Sequence, residues 1–376
     1  MSDLALAPLP DELVAALRGE VVAWADVGLR VERVLELCAA HEIGPLLYRR
    51  LRAQPSCDWP AAVIERLAQD ARGEAAAEAV RQVELVSTLD GLAAAGVHPI
   101  LLKGTPLAYT VYEIPSARRR CDTDLLVPRA QIDAARAALH ACGYRPPVYC
   151  DGELVFQQFE MCKIDRLGID HTLDVHWNVS MQTIFAELLT YDELAAHAMP
   201  VPALGVHART AGPLHALLLA CVHPAMHHRN ETRVLWTLDV HVLASRLAPD
   251  DWRGLTDLAI GKRVAAIVAR ALDQARHTWL TDVPATAIAD LAAAPPEPSA
   301  AYLAPGRRWH HELADNVAHL PTWRSRLKLL REIAFPSAAY MSRAYGVEGA
   351  AAHVFLPALY MVRLARGARK ILTGRK

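Results

Sequence analysis

The sequence predicts an α+β protein in which a mixed β-sheet core is flanked by helical N-terminal and C-terminal regions. Residues 10–95 and 213–290 repeat apolar side chains at intervals of three and four, the period of a helix with one buried face. Between them, residues 97–200 hold short apolar or alternating runs bounded by Gly, Pro and Asp, which is how strands are written. A chain of 376 residues with 53% hydrophobic side chains is long enough to bury two or three cores.

The elements follow in order. "ELVAALRGEVVAWA" and "AVRQVELVSTLDGLAAAG" have helical spacing, and Gly96 supplies the C-terminal stop of a helical region over 1–95. "HPILLKG" is too brief for a helix and reads as a buried strand, followed by the short helical piece "TPLAYTVYE". "CDTDLLVP" is a second strand closed by Pro128, and "RAQIDAARAALHACG" a helix ended by Gly143. Asp151-Gly152 signals a hairpin ahead of the strand "ELVFQQFEMCKI", and the turn "DRLG" leads into "IDHTLDVHWNV". These pieces define a core over 96–200. The proline-rich "MPVPALGVHARTAGP" (199–213) reads as a junction, because repeated prolines continue neither ladder. A helical domain is expected over 210–291, a second linker over 292–306, and a basic helical tail over 307–376.

Composition narrows the function classes. No window approaches the roughly 18 apolar residues of a membrane span, and the opening "MSDLALAPLP" has neither the basic nor the apolar part of a secretory signal, so the expected compartment is the cytoplasm. Seven scattered cysteines form no C-x-x-C pair and suit reduced thiols better than disulfides or zinc. The net charge of −1 divides unevenly: thirteen Lys or Arg against four Asp or Glu from residue 301 onward make that end +9 and the rest −10. A basic end on an acidic body suits contact with a polyanion, though a solvated helical surface is the commoner meaning of such a run.

The chemistry concentrates in "ILLKGTPLAYTVYEIPSARRRCDTDLLV" (100–127). On a strand, Asp122 and Asp124 point to one face while Thr123 and Leu125 point to the other. The same period puts Asp170, Thr172, Asp174 and His176 together on the later strand, making Asp174 the candidate third carboxylate and His176 a candidate support for it. Converging carboxylates repel unless a cation lies between them, and Mg²⁺ prefers carboxylate oxygens plus substrate phosphates. Taken alone, an Asp-x-Asp pair is equally the solvated face of a strand. Gly104 lets the backbone approach a phosphate, with Thr105 and the first N–H groups of the following helix as donors and Lys103 as a positive charge. His223 and His227 share a helical face with His228 alongside. Pro224 and the lack of a neighbouring Glu speak against a zinc-protease pair, which leaves His223, together with Asp239, to line a cleft and orient an acceptor.

In their order, "LLKGTPL", Arg118, "DTDLLVP", a helix ending "CGY", and "LDVHW" resemble the uncharacterised nucleotidyltransferase family of the polymerase-β-like superfamily. More distantly, Lys-Gly-Thr is similar to the Lys-Gly-Gly-Thr of the nucleotidyltransferase toxins of abortive-infection systems. The likeness spans roughly residues 80–365, including "PLHALLLACVHPAMHHRNETRVLWTLDVHVLASR" and the tail pieces. It implies a nucleotidyltransferase-type mixed sheet, with Gly104 and Thr105 in the phosphate loop and Asp122, Asp124 and Asp174 as catalytic, metal-binding carboxylates. Arg118 would face the nucleotide phosphates or hold the loop. The chain departs from the superfamily in carrying Gly-Thr for the usual Gly-Ser and in placing seventeen residues between Gly104 and Asp122. The expected activity is Mg²⁺-dependent transfer of NMP from an NTP to a hydroxyl of an acceptor (RNA, a peptide or a small alcohol), with two metal ions and release of pyrophosphate. A catalytically inactive nucleotide-binding or scaffold protein on the same fold is the alternative.

Overall fold

The computed structural model describes residues 7–147, 157–228, 230–231, 233–347 and 350–373. Five helices open the chain: α1 (Asp11–Arg18), α2 (Trp24–Val27), α3 (Val31–Ala40), α4 (Gly44–Arg52) and α5 (Ala61–Ala94). Gly96 ends the last of them at φ +74°, a conformation that costs a residue with a Cβ but not glycine. The core follows as β1 (Ile100–Leu102), α6 (Gly104–Thr110), β2 (Thr123–Leu126), α7 (Ile132–Ala141), β3 (Gln158–Ile164), β4 (Asp170–His176), α8 (Tyr191–Ala196), β5 (Met199–Pro200) and β6 (Arg209–Thr210). The expected Asp151-Gly152 turn lies outside the described residues.

The six strands form one mixed sheet in the order β3-β4-β2-β1-β6-β5, with β2–β4 and β1–β6 parallel and the other pairs antiparallel. Its two faces follow from the alternation of side chains. Leu101, Leu125, Leu173 and Val175 pack against Leu85, Leu89 and Leu92 of α5 and Ala135 and Leu139 of α7. Ile100, Leu102 and Leu126 face the other way, into the core of a helical layer.

That layer comprises α9 (Pro213–His227), α10 (Val234–Ala244), α11 (Asp251–Gly261), α12 (Ala265–Trp279) and α13 (Ala285–Ala292). The N-terminal helices share a third core with Leu235 and Leu238 of α10 and Trp279 of α12, whose indole N–H donates to Thr237 Oγ1 at 2.9 Å. Last come α14 (Trp309–His319), α15 (Trp323–Ala334), α16 (Ala338–Tyr345) and α17 (Ala350–Thr373).

Two expected connectors are built differently from the sequence reading. The proline-rich 199–213 segment supplies β5 and β6. Pro200 is tolerated because β5 is the sheet's edge, where a missing N–H disrupts no inner ladder, and β6 is held to β1 by the Thr210 hydroxyl on the Leu101 carbonyl at 3.0 Å. Residues 292–306 are packed rather than slack. Glu297 accepts the first N–H groups of α12, Ala265 and Ala266, and Tyr302 is buried edge-on against Phe185 at 4.9 Å.

Candidate active site

Register assembles the site. The parallel pairing of β2 and β4 sets Asp124 beside Asp174 and Leu126 beside His176, and antiparallel β1 sets Leu102 beside Asp124. All these side chains share the face turned to the helical layer. Asp124, Asp174 and His176 each offer a ligand atom, and these atoms lie within 4.8 Å of one another. Asp122 stands two residues before Asp124, outside that tight group and at the exposed end of the strand.

Lys103 closes the cluster. It leaves β1 with φ +57° and ψ −136°, an unfavourable backbone for a residue with a Cβ, and its Nζ lies 2.6 Å from Asp124 Oδ1. His176 Nε2 is 2.8 Å from the same oxygen, and because an ionised carboxylate only accepts, that nitrogen carries the proton. The sequence reading paired His176 with Asp174. The register places it one step beyond Asp174 on the same face, where Asp124 is in reach, and Gln158 Nε2 donates to Asp174 Oδ2 instead, at 3.2 Å.

Electrostatics follow the geometry. Burial would raise Asp124, yet the Lys103 charge and the His176 hydrogen bond outweigh it and hold this carboxyl far below its usual range. At Asp174 the Lys103 charge is outweighed. Burial, then the charges of Asp124 and Asp122, push it up to about 7. Asp122 has accessible surface but sits on a floor crowded by protein, and loss of solvent followed by the Asp124 charge lifts it to about 6. Burial alone would depress Lys103, but the three aspartates raise it. His176 is lowered by burial against the pull of Asp124. The cluster thus carries more negative charge than its one lysine neutralises. The carboxylate oxygens form a donor set that fits Mg²⁺ or Mn²⁺, with the protonated His176 Nε2 as a neighbour of it and not a ligand.

The loop around Gly104 is locked from two sides. Arg118 makes a buried two-pronged contact with Asp239 of α10, Nε to Oδ1 at 2.8 Å and Nη2 to Oδ2 at 2.7 Å, and Tyr112 donates to the same carboxylate at 2.7 Å. A Cβ on residue 104 would meet the Arg118 guanidinium at 3.3–3.4 Å, so glycine here answers to the arginine as much as to any ligand. Of the two roles expected for Arg118, the contacts carry that of holding the loop, and Asp239 is its partner rather than a free group in the cleft. On the other side, the buried Thr105 hydroxyl donates to the Asp122 carbonyl at 3.2 Å and lies 3.2 Å from Thr123 Oγ1. Thr123 accepts from Arg120 at 2.7 Å, and Arg120 pairs with Glu78 of α5 at 3.0 Å. Thr105 therefore braces the turn, where the sequence had suggested a phosphate donor.

Glu78 and Arg120 escaped the sequence reading. The available signal was Glu74 and Glu78, four apart on one face of an alanine-rich helix, matching the run Arg118-Arg119-Arg120 before β2. Opposite the sheet, His223, His228 and Trp236 cluster, with His228 tilted over Trp236 at 4.3 Å and His223 meeting Trp236 edge-on at 5.0 Å. Burial, then the nearby Lys103 charge, keeps His223 and His227 neutral, well below the ordinary histidine range. His223 Nδ1 is buried without a hydrogen-bond partner among the described residues. A pocket lies between Lys103, Gly104 and Arg118 on one side and His223, Trp236 and Asp239 on the other.

Among known proteins, the model of a family described as uncharacterised nucleotidyltransferase matches residues 28–280, well over half the chain. No curated protein and no solved structure matches. The matched span begins in the N-terminal helices and runs through the sheet and α12, enclosing the aspartates, the Lys-Gly-Thr turn and the histidine-bearing helix whose geometry has just been described. The chain belongs to the uncharacterised nucleotidyltransferase family.

Proposed function

We propose that this protein transfers a nucleoside monophosphate from an NTP to a hydroxyl of an acceptor, with release of pyrophosphate, in a reaction that depends on Mg²⁺. The observation that carries this reading is the convergence of Asp124, Asp174 and His176 across two parallel strands, with Asp122 beside them and Lys103 at the phosphate-loop glycine. Asp122, Asp124 and Asp174 would hold the metal, which when bound supplies charge neutralisation at the phosphates and at the attacking oxygen. The acceptor oxygen forms its bond to the α-phosphorus as the α–β bridging P–O bond breaks, and the electron pair leaves with pyrophosphate. Asp174 would lie near the acceptor, as a metal-bridging carboxylate or as the base that takes the hydroxyl proton. Lys103 and Gly104 would meet the phosphates, and the pocket bounded by His223 and Trp236 would receive the rest of the substrate. Rigid support from the Arg118–Asp239 and Arg120–Glu78 pairs fits a reaction driven by positioning and charge more than by covalent help.

One observation favours a second reading, that of a non-catalytic nucleotide-binding or scaffold protein: Lys103 already occupies the best carboxylate oxygen. Calorimetry with each of the four NTPs, with and without Mg²⁺, on the wild type and on Asp122→Asn/Asp124→Asn separates the two. Metal-dependent binding lost in the variant, with pyrophosphate released on acceptor addition, supports transfer. Binding that ignores metal and both substitutions sinks it in favour of the scaffold.

A further inference from the structure

Eight of the sixteen large apolar side chains that stand exposed among the described residues fall between Trp323 and Leu364, so one short region holds half of that exposed set. The region lies beyond the span matched to the family, and its place in the fold is the helical end α14–α17. On α15, Trp323, Leu327, Leu330 and Ala334 recur at four, three and four and form one stripe, while Leu329 is the side chain this helix buries. Arg324, Lys328 and Arg331 run along the flank of the stripe, all with exposed surface. On α17 the exposed face carries Phe355, Met361 and Val362, continued by Arg366 and Arg369. From residue 323 to the last residue the chain has eleven Lys or Arg against two Asp or Glu, a net of +9.

We infer that α15 and α17 form a docking surface for an anionic lipid bilayer, on which the protein rests with these helices in the interface plane. The charge selects a negative partner, and the apolar stripe selects among negative partners. A nucleic-acid backbone offers nothing for Leu327, Leu330, Met361 and Val362 to enter, whereas a headgroup layer takes cations at its surface and apolar side chains just beneath it. No described helix is long and apolar enough to cross a membrane, which fits lying on the surface. Trp323 at the start of α15 is the kind of side chain that settles at the level of the headgroups. The inference is independent of the reaction proposed above.

The test is flotation of the full chain with vesicles of phosphatidylcholine alone and of equimolar phosphatidylcholine and phosphatidylglycerol. The expected result is binding to the anionic vesicles alone, weakened but not abolished by salt, because apolar insertion is not screened. Leu327→Glu/Leu330→Glu and Arg324→Glu/Arg331→Glu should each lose at least tenfold in affinity, while Val206→Glu, at an exposed apolar position elsewhere, should bind as the wild type does. Circular dichroism of each variant establishes that it is folded. The inference is overturned if the wild type ignores anionic vesicles, or if the glutamates at 327 and 330 leave binding intact. It is equally overturned if the stripe instead mediates self-association, seen in sedimentation and abolished by those glutamates without any lipid binding, or if the chain binds RNA and not vesicles.

Discussion

One oxygen, Oδ1 of Asp124, accepts from both the Lys103 ammonium and the His176 imidazole. A metal ion that sought this oxygen would have to share it with a resident cation. Lys103→Met, which keeps the length and removes the charge, should therefore bind Mn²⁺ more tightly in the absence of nucleotide, by about tenfold for one unit charge at close range in a half-polar site. Calorimetric titration checks this, and equal or weaker affinity would show that the lysine does not compete. The neighbouring acids set a pH dependence whose sign is fixed. Asp174 and Asp122 titrate near 7 and 6 in the folded protein against an ordinary 3.8, so between about pH 4 and 7 the native state retains protons that the unfolded chain has released. Stability contributed by these two groups thus falls as pH rises through that window. Urea melts at pH 5 and pH 7 should show the loss, Asp174→Asn should reduce it, and saturating Mg²⁺ should oppose it by favouring the ionised forms.

At the scale of elements, the Arg118–Asp239 pair fastens the connection before β2 to α10, so the sheet and the helical layer are tied at the edge of the pocket. Asp239→Ala leaves a buried guanidinium without its carboxylate and should cost about 3–5 kcal/mol, whereas Arg118→Met/Asp239→Leu should cost less than the sum of the single changes. A double-mutant cycle from urea unfolding reads the difference. This pair also marks where the sequence stopped being informative. The strands were legible because buried side chains alternate, so Asp122, Asp124 and Asp174 could be assigned to a face, and Gly96 and Gly143 stopped helices where left-handed φ values were needed. The partner of an arginine 121 residues away is not encoded by period or spacing, and neither is the reach of Glu78 to Arg120. The face of His176 was legible in the same way, but its hydrogen bond to Asp124 was not, since register between strands fifty residues apart is decided by the whole sheet. Prolines near 200 concealed an edge strand because their veto applies to inner ladders only.

Across the whole molecule, three apolar cores meet around the sheet, and Trp279, Leu235 and Leu238 merge the N-terminal helices with the helical layer. The pocket lies where these layers abut, so its shape depends on contacts contributed by residues from β1 to α10. The basic, apolar-striped end stands apart from that arrangement, on helices that bury fewer side chains. Catalytic geometry and proposed lipid contact are thus carried by separate parts of the chain and can be perturbed one at a time.

The pairing of Asp124 with Asp174 also bears on how the chain reaches its structure. β1 and β2 are close in sequence and pair antiparallel, while β4 can add to β2 only after a crossover that brings together residues fifty apart. If the nearer pairing forms first, Lys103 arrives beside Asp124 before the second carboxylate has to be brought against the first. A cation already in place would lower the barrier to closing the sheet. Lys103→Met should then slow refolding more than it speeds unfolding, a φ-value well above one half in stopped-flow experiments. A change confined to the unfolding limb would mean that the lysine joins the cluster only after the sheet has closed.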